Sequence, residues 1–171
     1  VYVELAANQS EVTELQSLGL TVEVMEPNLR QFYESRFDRR PRRYEDFKLG
    51  SMGGNYTLAE LEAELDTLHM LYPDLVSEKM SIGKSLQGRD IWAVKVSDNV
   101  DLDENLSGEI EPRVLYTALT HAREPVSMMN LIYFIQYMCK NFGLKKLPTE
   151  LIQTREMWFI PCVNPDGYVY N

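Results

Sequence analysis

"RVLYTALTHAREPVSMMN", residues 113–130, decides the fold. Its first eight residues, 113–120, are apolar and β-rich, which suits a buried central strand. Its last residues open a helix. Pro125 stands where a first helical turn accepts proline, and Met128, Leu131, Ile132, Ile135 and Met138 recur at helical spacing before Gly143. A second continuous apolar run, "EMWFIPCVN" at 156–164, comes next. Strand, helix, strand over this distance predicts a right-handed βαβ unit, with 113–120 and 156–164 parallel in one sheet. "NPDGY" at 164–168 closes the second strand with turn-forming residues.

Upstream, "EKMSIG" and "DIWAVKVSD" alternate around "KSLQGR", which predicts an antiparallel hairpin turning at Gly88. Before it, Thr57 and Glu60 form a capping box. Leu58, Leu61, Leu65 and Leu68 make one apolar stripe, and Tyr72-Pro73 ends the helix. His69 near that end reads as a partly exposed histidine, favoured there as a cation. Residues 99–112 are acidic and turn-rich, and read as a loop. The architecture expected over 55–171 is α/β, a mixed and partly parallel sheet with flanking helices.

Residues 30–54 read as a linker, with a cluster of arginines, Pro41, and then "GSMGGN" at 50–55, a flexible stretch of the kind proteases cut. Residues 1–29 hold a small βαβ-like piece. "VYVELA" and "LTVEVME" alternate as strands on either side of a helix capped by Ser10 and stopped by Gly19. This piece is too short to build a core of its own.

The chain has 171 residues, a formal net charge of -9, 44% hydrophobic and 25% charged residues, an ordinary globular balance. The acidic charge argues against general affinity for nucleic acid or anionic membrane. No apolar run approaches the length of a membrane span. Cys139 and Cys162 leave two readings open, a disulfide in an oxidising compartment or two buried thiols.

His121 and Glu124 fall where the strand gives way to the helix, and in open α/β sheets sites gather at the carboxyl ends of strands. Zinc takes imidazole nitrogen and carboxylate oxygen, and a His₂Glu set leaves a fourth position for water. A spacing of three lets both side chains converge on one ion. Arg123 between them could hold an anionic substrate group. The same pattern also fits a hydrogen-bonded loop histidine.

Three segments, "YPDLVSEKMSIGKSLQGRDIWAVKVSDN", "LTHAREPVSMMN" and "FIPCVNPDGYVYN", together resemble the zinc metallocarboxypeptidases of the carboxypeptidase A/B/T type. The resemblance implies that His121 and Glu124 are two of three zinc ligands, that Arg123 lines a substrate subsite, and that Asn164, Pro165, Asp166 and Gly167 form a structural turn. It also implies a zymogen: residues 1–29 as the end of a propeptide, 30–54 as a linker open to an activating protease, and 55–171 as the first part of a catalytic domain. The implied activity is removal of C-terminal residues from peptides and proteins by a secreted enzyme. The third ligand, the general base and the arginines that bind carboxylate are expected beyond Asn171, as is the specificity pocket, so that 1–171 alone is expected to be inactive. Pro125 stands where many members carry tryptophan. A sheet ending at 156–164 is expected to leave that strand as an open edge. Two alternatives remain, a zinc amidohydrolase acting on small N-acyl amino acids and a catalytically inactive relative or fragment.

Overall fold

The computed structural model describes residues 2–36, 47–101 and 111–171, with the backbone alone for 33–36. The chain divides into two compact units, Val1–Arg42 and Arg43–Asn171.

In the first unit, α1 (Gln9–Ser17) and α2 (Leu29–Arg36) are the regular elements among the described residues. The cap of α1 is Asn8, not Ser10. The Asn8 side-chain oxygen accepts from the Ser10 and Glu11 amides at 2.9 and 3.0 Å, and the Glu11 carboxylate accepts from the Asn8 amide at 2.7 Å. Asparagine is as good a cap as serine, and here it completes the box with Glu11. The two expected strands do not form. Alternation provides an apolar face, but a strand also needs a partner to take up its N–H and C=O groups, and among the described residues neither segment has one. Tyr2, Val3, Leu5, Leu20 and Val24 stay exposed, and α1 buries no residue. Helix α2 occupies the start of the stretch that reads as a linker. Pro41 and the arginines at 39, 40, 42 and 43 lie outside the described residues.

The second unit holds the core. Residues 50–55 are not a loose tether but a tight turn. The Gly50 amide donates to the Gly54 carbonyl and the Met52 amide to the Asn55 carbonyl, both at 3.1 Å. A Cβ on Gly50 would lie 2.0 Å from the Asn55 carbonyl oxygen, so the chain can close here only with glycine. Helix α3 (Leu58–Leu71) starts at the capping box and ends at Tyr72. Its Leu61, Leu65 and Leu68 are buried, and Leu58 packs beside them. His69 donates from Nδ1 to the Val76 carbonyl at 2.8 Å and pins the chain that leaves the helix.

Strands β1 (Met80–Lys84) and β2 (Asp90–Val96) form the antiparallel hairpin. Then come β3 (Arg113–Thr117), helix α4 (Pro125–Asn141), helix α5 (Lys146–Gln153), β4 (Glu156–Ile160) and helix α6 (Pro165–Tyr170). The sheet order is β1-β2-β4-β3. β3 and β4 pair in parallel, with Arg113 opposite Glu156 and Thr117 opposite Ile160, while β2 and β4 are antiparallel. The sheet is mixed, as expected. Among the described residues β3 pairs on one side only, with β4, and Arg113, Leu115 and Thr117 are exposed. The 156–164 segment lies inside the sheet, not at its edge.

The apolar face of the sheet packs on α3 and α4. α4 buries Met128, Met129, Leu131, Ile132, Ile135, Met138 and Cys139. Tyr116 stacks on Phe159 with centroids 4.9 Å apart, and Phe134 meets Tyr116 edge-on at 5.5 Å. Each fully buried apolar side chain stabilises the fold by about 1.5–3 kcal/mol. Cys139 and Cys162 are free, buried thiols, which excludes the disulfide reading. Helix α5 has no counterpart in the sequence reading. The acidic loop expected at 99–112 lies mostly outside the described residues.

Candidate functional site

The site is built where the parallel strands end. Past Thr117 and Ile160 the two chains remain joined. The Ala118 amide donates to the Ile160 carbonyl at 3.0 Å, the Val163 amide to the Ala118 carbonyl at 3.0 Å, and the Asn164 amide to the Leu119 carbonyl at 3.2 Å. At Leu119 the backbone turns with φ +50°, a left-handed conformation that costs a leucine about 1–2 kcal/mol. Burial of the side chain, which is 1% exposed, holds it there. Ser127 completes the bend. Its hydroxyl accepts from the Leu119 amide at 3.1 Å and donates to the Glu124 carbonyl at 2.7 Å.

The bend presents His121, Arg123 and Glu124 to solvent. His121 and Glu124 are 76% and 63% exposed, and the His121 Nδ1 lies 3.1 and 3.2 Å from the two Glu124 carboxylate oxygens. As a bare ion pair at this exposure it stabilises the fold little. What it offers is chemistry: an imidazole nitrogen and a carboxylate meet on one turn, and both are donor types zinc accepts. Among the described residues no third histidine, cysteine, aspartate or glutamate joins them. The structure thus brings together two donors of the three that a catalytic zinc site uses. Arg123 is exposed beside them.

The second loop is not a simple turn, since it opens α6 with Asn164 as cap and Pro165 in the first turn. The Asn164 side chain works in two directions. Its oxygen accepts from the Gly167 amide at 3.0 Å, and its nitrogen donates to the Thr120 carbonyl at 3.4 Å. A Cβ on Gly167 would lie 2.7 Å from that nitrogen, so glycine is needed to let the asparagine sit there.

Asp166 reaches the turn between β1 and β2. It accepts from the Ser85 hydroxyl at 2.7 Å, the Gln87 amide at 3.0 Å and the Arg89 guanidinium at 2.7 Å. Burial alone would push its carboxyl up; these hydrogen bonds and the Arg89 charge outweigh that and hold it below the usual aspartate range. The sequence reading missed Ser127, and it took residues 85–89 and 164–167 as separate turns. The signal available was a pair of polar, turn-forming clusters, each too ordinary to suggest the other.

The sequence profile of the family described as zinc carboxypeptidase matches residues 61–171. A zinc carboxypeptidase of Saccharothrix mutabilis subsp. capreolus is 38% identical over 127 residues, covering 74% of this chain and 28% of that protein. Mouse carboxypeptidase A2 is 28% identical across an alignment of 176 residues, covering 100% of this chain and 39% of that protein. The crystal structure of carboxypeptidase A from Helicoverpa armigera superimposes with a TM-score of 0.66 at 23% identity, over 95% of this chain and 39% of that one, which shows the shared fold. The chain therefore spans well under half the length of each of these relatives.

Proposed function

Because this chain belongs to the zinc carboxypeptidase family, we propose that the whole protein removes C-terminal residues from peptides and proteins with the help of zinc. The single observation that carries this is the His121–Glu124 pair, two zinc-type donors held at the carboxyl end of the parallel strands. His121 and Glu124 are the residues of this chain that hold the metal. When bound there, zinc would polarise a substrate carbonyl and lower the pKa of water. Arg123 offers its guanidinium to an anionic or carbonyl oxygen of the peptide. The bend at Leu119 and the Ser127 hydroxyl keep the two donors on one turn.

In this reading His121 and Glu124 are two of the three donors, and among the described residues no third joins them. Residues 1–29 are the end of a propeptide, 30–54 a linker where an activating protease cuts, and 55–171 the first part of the catalytic domain. The division of the chain between Arg42 and Arg43 supports a boundary inside the basic stretch. The enzyme acts outside the cell. Among the described residues no helix is long and apolar enough to cross a membrane.

The test uses protein purified from its natural source after limited proteolysis. A peptide with a free C-terminus is expected to lose its last residue, and the same peptide amidated at its C-terminus is expected to be spared. Equal cleavage of both, or hydrolysis of N-acyl amino acids alone, would sink the proposal.

A further inference from the structure

We propose that Asp166 is a positioning residue for the loop that carries His121 and Glu124, acting through Asn164 from an anchor in the β1–β2 turn. The proposal rests on the reading of those two residues as zinc donors. Asp166 touches neither of them. Its carboxylate is held by three donors from one turn, Ser85, Gln87 and Arg89. That turn is itself closed, since the Ser85 amide donates to the Arg89 carbonyl at 2.8 Å and the Arg89 amide to the Ser85 hydroxyl at 3.0 Å.

Asp166 lies in the first turn of α6, two residues from its cap. Fixing Asp166 therefore fixes where Asn164 stands. Asn164 in turn carries two of the hydrogen bonds that hold the other loop, one from its backbone to Leu119 and one from its side chain to Thr120. Thr120 immediately precedes His121. Gly167 makes the link strict, because only a residue without Cβ leaves the Asn164 amide in place. The line runs from a hairpin turn, through one short helical turn, to the donor loop. It bridges segments separated by 81 and then 44 residues. Groups behind metal ligands typically alter metal affinity about 10–100-fold when removed, because they set the orientation of the donors.

Spatial order alone does not establish coupling, so the test measures it. Asp166→Asn keeps the shape and removes the charge, and Gly167→Ala displaces Asn164 while leaving Asp166 intact. Amide hydrogen exchange is followed in the wild type, in each variant and in the double variant. Zinc affinity is measured on the zinc protein by chelator competition. Each variant is expected to speed exchange at the Leu119 and Asn164 amides about 10-fold or more, while amides in the middle of α3 and α4 keep wild-type rates. Zinc affinity is expected to fall about 10–100-fold in each, and the double variant to lose little beyond the worse single one. Faster exchange at Gln87 alone would make Asp166 a local staple and overturn the proposal. Equal acceleration throughout α3 and α4 would reduce it to global stability and overturn it too. If the wild-type protein holds no zinc, the functional reading fails, and amide exchange still decides whether Asp166 governs the loop.

Discussion

Leu119 shows how much one residue position settles. A leucine at positive φ is uncomfortable, and here the core pays by taking its side chain. The bend it makes turns a strand into the loop that carries His121 and Glu124. The two cysteines show the opposite case, side chains set apart from chemistry. Burial pushes the Cys139 thiol up to about 12 and the Cys162 thiol up to about 11. Neither is a thiolate near neutral pH, so a thiol reagent at pH 8 is expected to label neither in the folded protein and both after unfolding. Rapid labelling of the folded chain would contradict their burial. Glu60 titrates in the other direction. The hydrogen bond from the Thr57 amide, with those from Ser51, outweighs the opposing effect of burial and holds its carboxyl at about 2. Asp166 is lowered as well. A carboxyl whose folded pKa lies below its unfolded value stabilises fully above that unfolded value, near 4, and loses this as pH falls through the folded value. Thermal melts are therefore expected to hold steady from pH 7 to about 5 and to fall below about pH 4, less steeply in Glu60→Gln. A flat profile to pH 3 would contradict it.

At the scale of elements, α4 carries the core. Ile135→Ala is expected to cost about 2–5 kcal/mol by chemical denaturation, because Ile135 is fully buried between helix and sheet. Thr57→Ala is expected to cost about 1 kcal/mol through the lost cap of α3. These elements were legible in the sequence because their signals are local: Leu61, Leu65 and Leu68 repeat at helical spacing, Thr57 and Glu60 lie three apart, and Gly88 punctuates the hairpin. What was illegible depends on partners. Which strands flank residues 113–120 cannot be read from an apolar run, which looks the same wherever it sits in a sheet. Residues 1–6 and 20–26 alternate like strands yet find no ladder among the described residues. Helix α5 escaped notice because Lys145, Lys146 and Pro148 blur its start, although Leu147, Leu151 and Ile152 keep helical spacing. His121 and Glu124 stand out as candidates through their place at the end of an apolar strand and the segments around them, since a spacing of three is weak by itself. Asp166, Ser85 and Arg89 do not, since nothing local relates residues 77 and 81 positions apart.

At the scale of the whole molecule, β3 is the last strand on its side of the sheet among the described residues, and its Leu115 is 62% exposed. Open apolar edges recruit other strands. Residues 1–171 expressed alone are expected to self-associate with rising concentration in sedimentation velocity, and Leu115→Lys to reduce this. A soluble monomer that unfolds reversibly and cooperatively at all concentrations would contradict that expectation. His121 and Glu124 follow the carboxyl end of that same strand. The most direct measurement is zinc content, by mass spectrometry of the dialysed protein from its natural source and of its His121→Ala and Glu124→Gln variants. One zinc per wild-type molecule, lost or loosely held in either variant, is the predicted result. A wild-type protein without zinc, or variants that retain it undiminished, would contradict the assignment of His121 and Glu124 as zinc ligands.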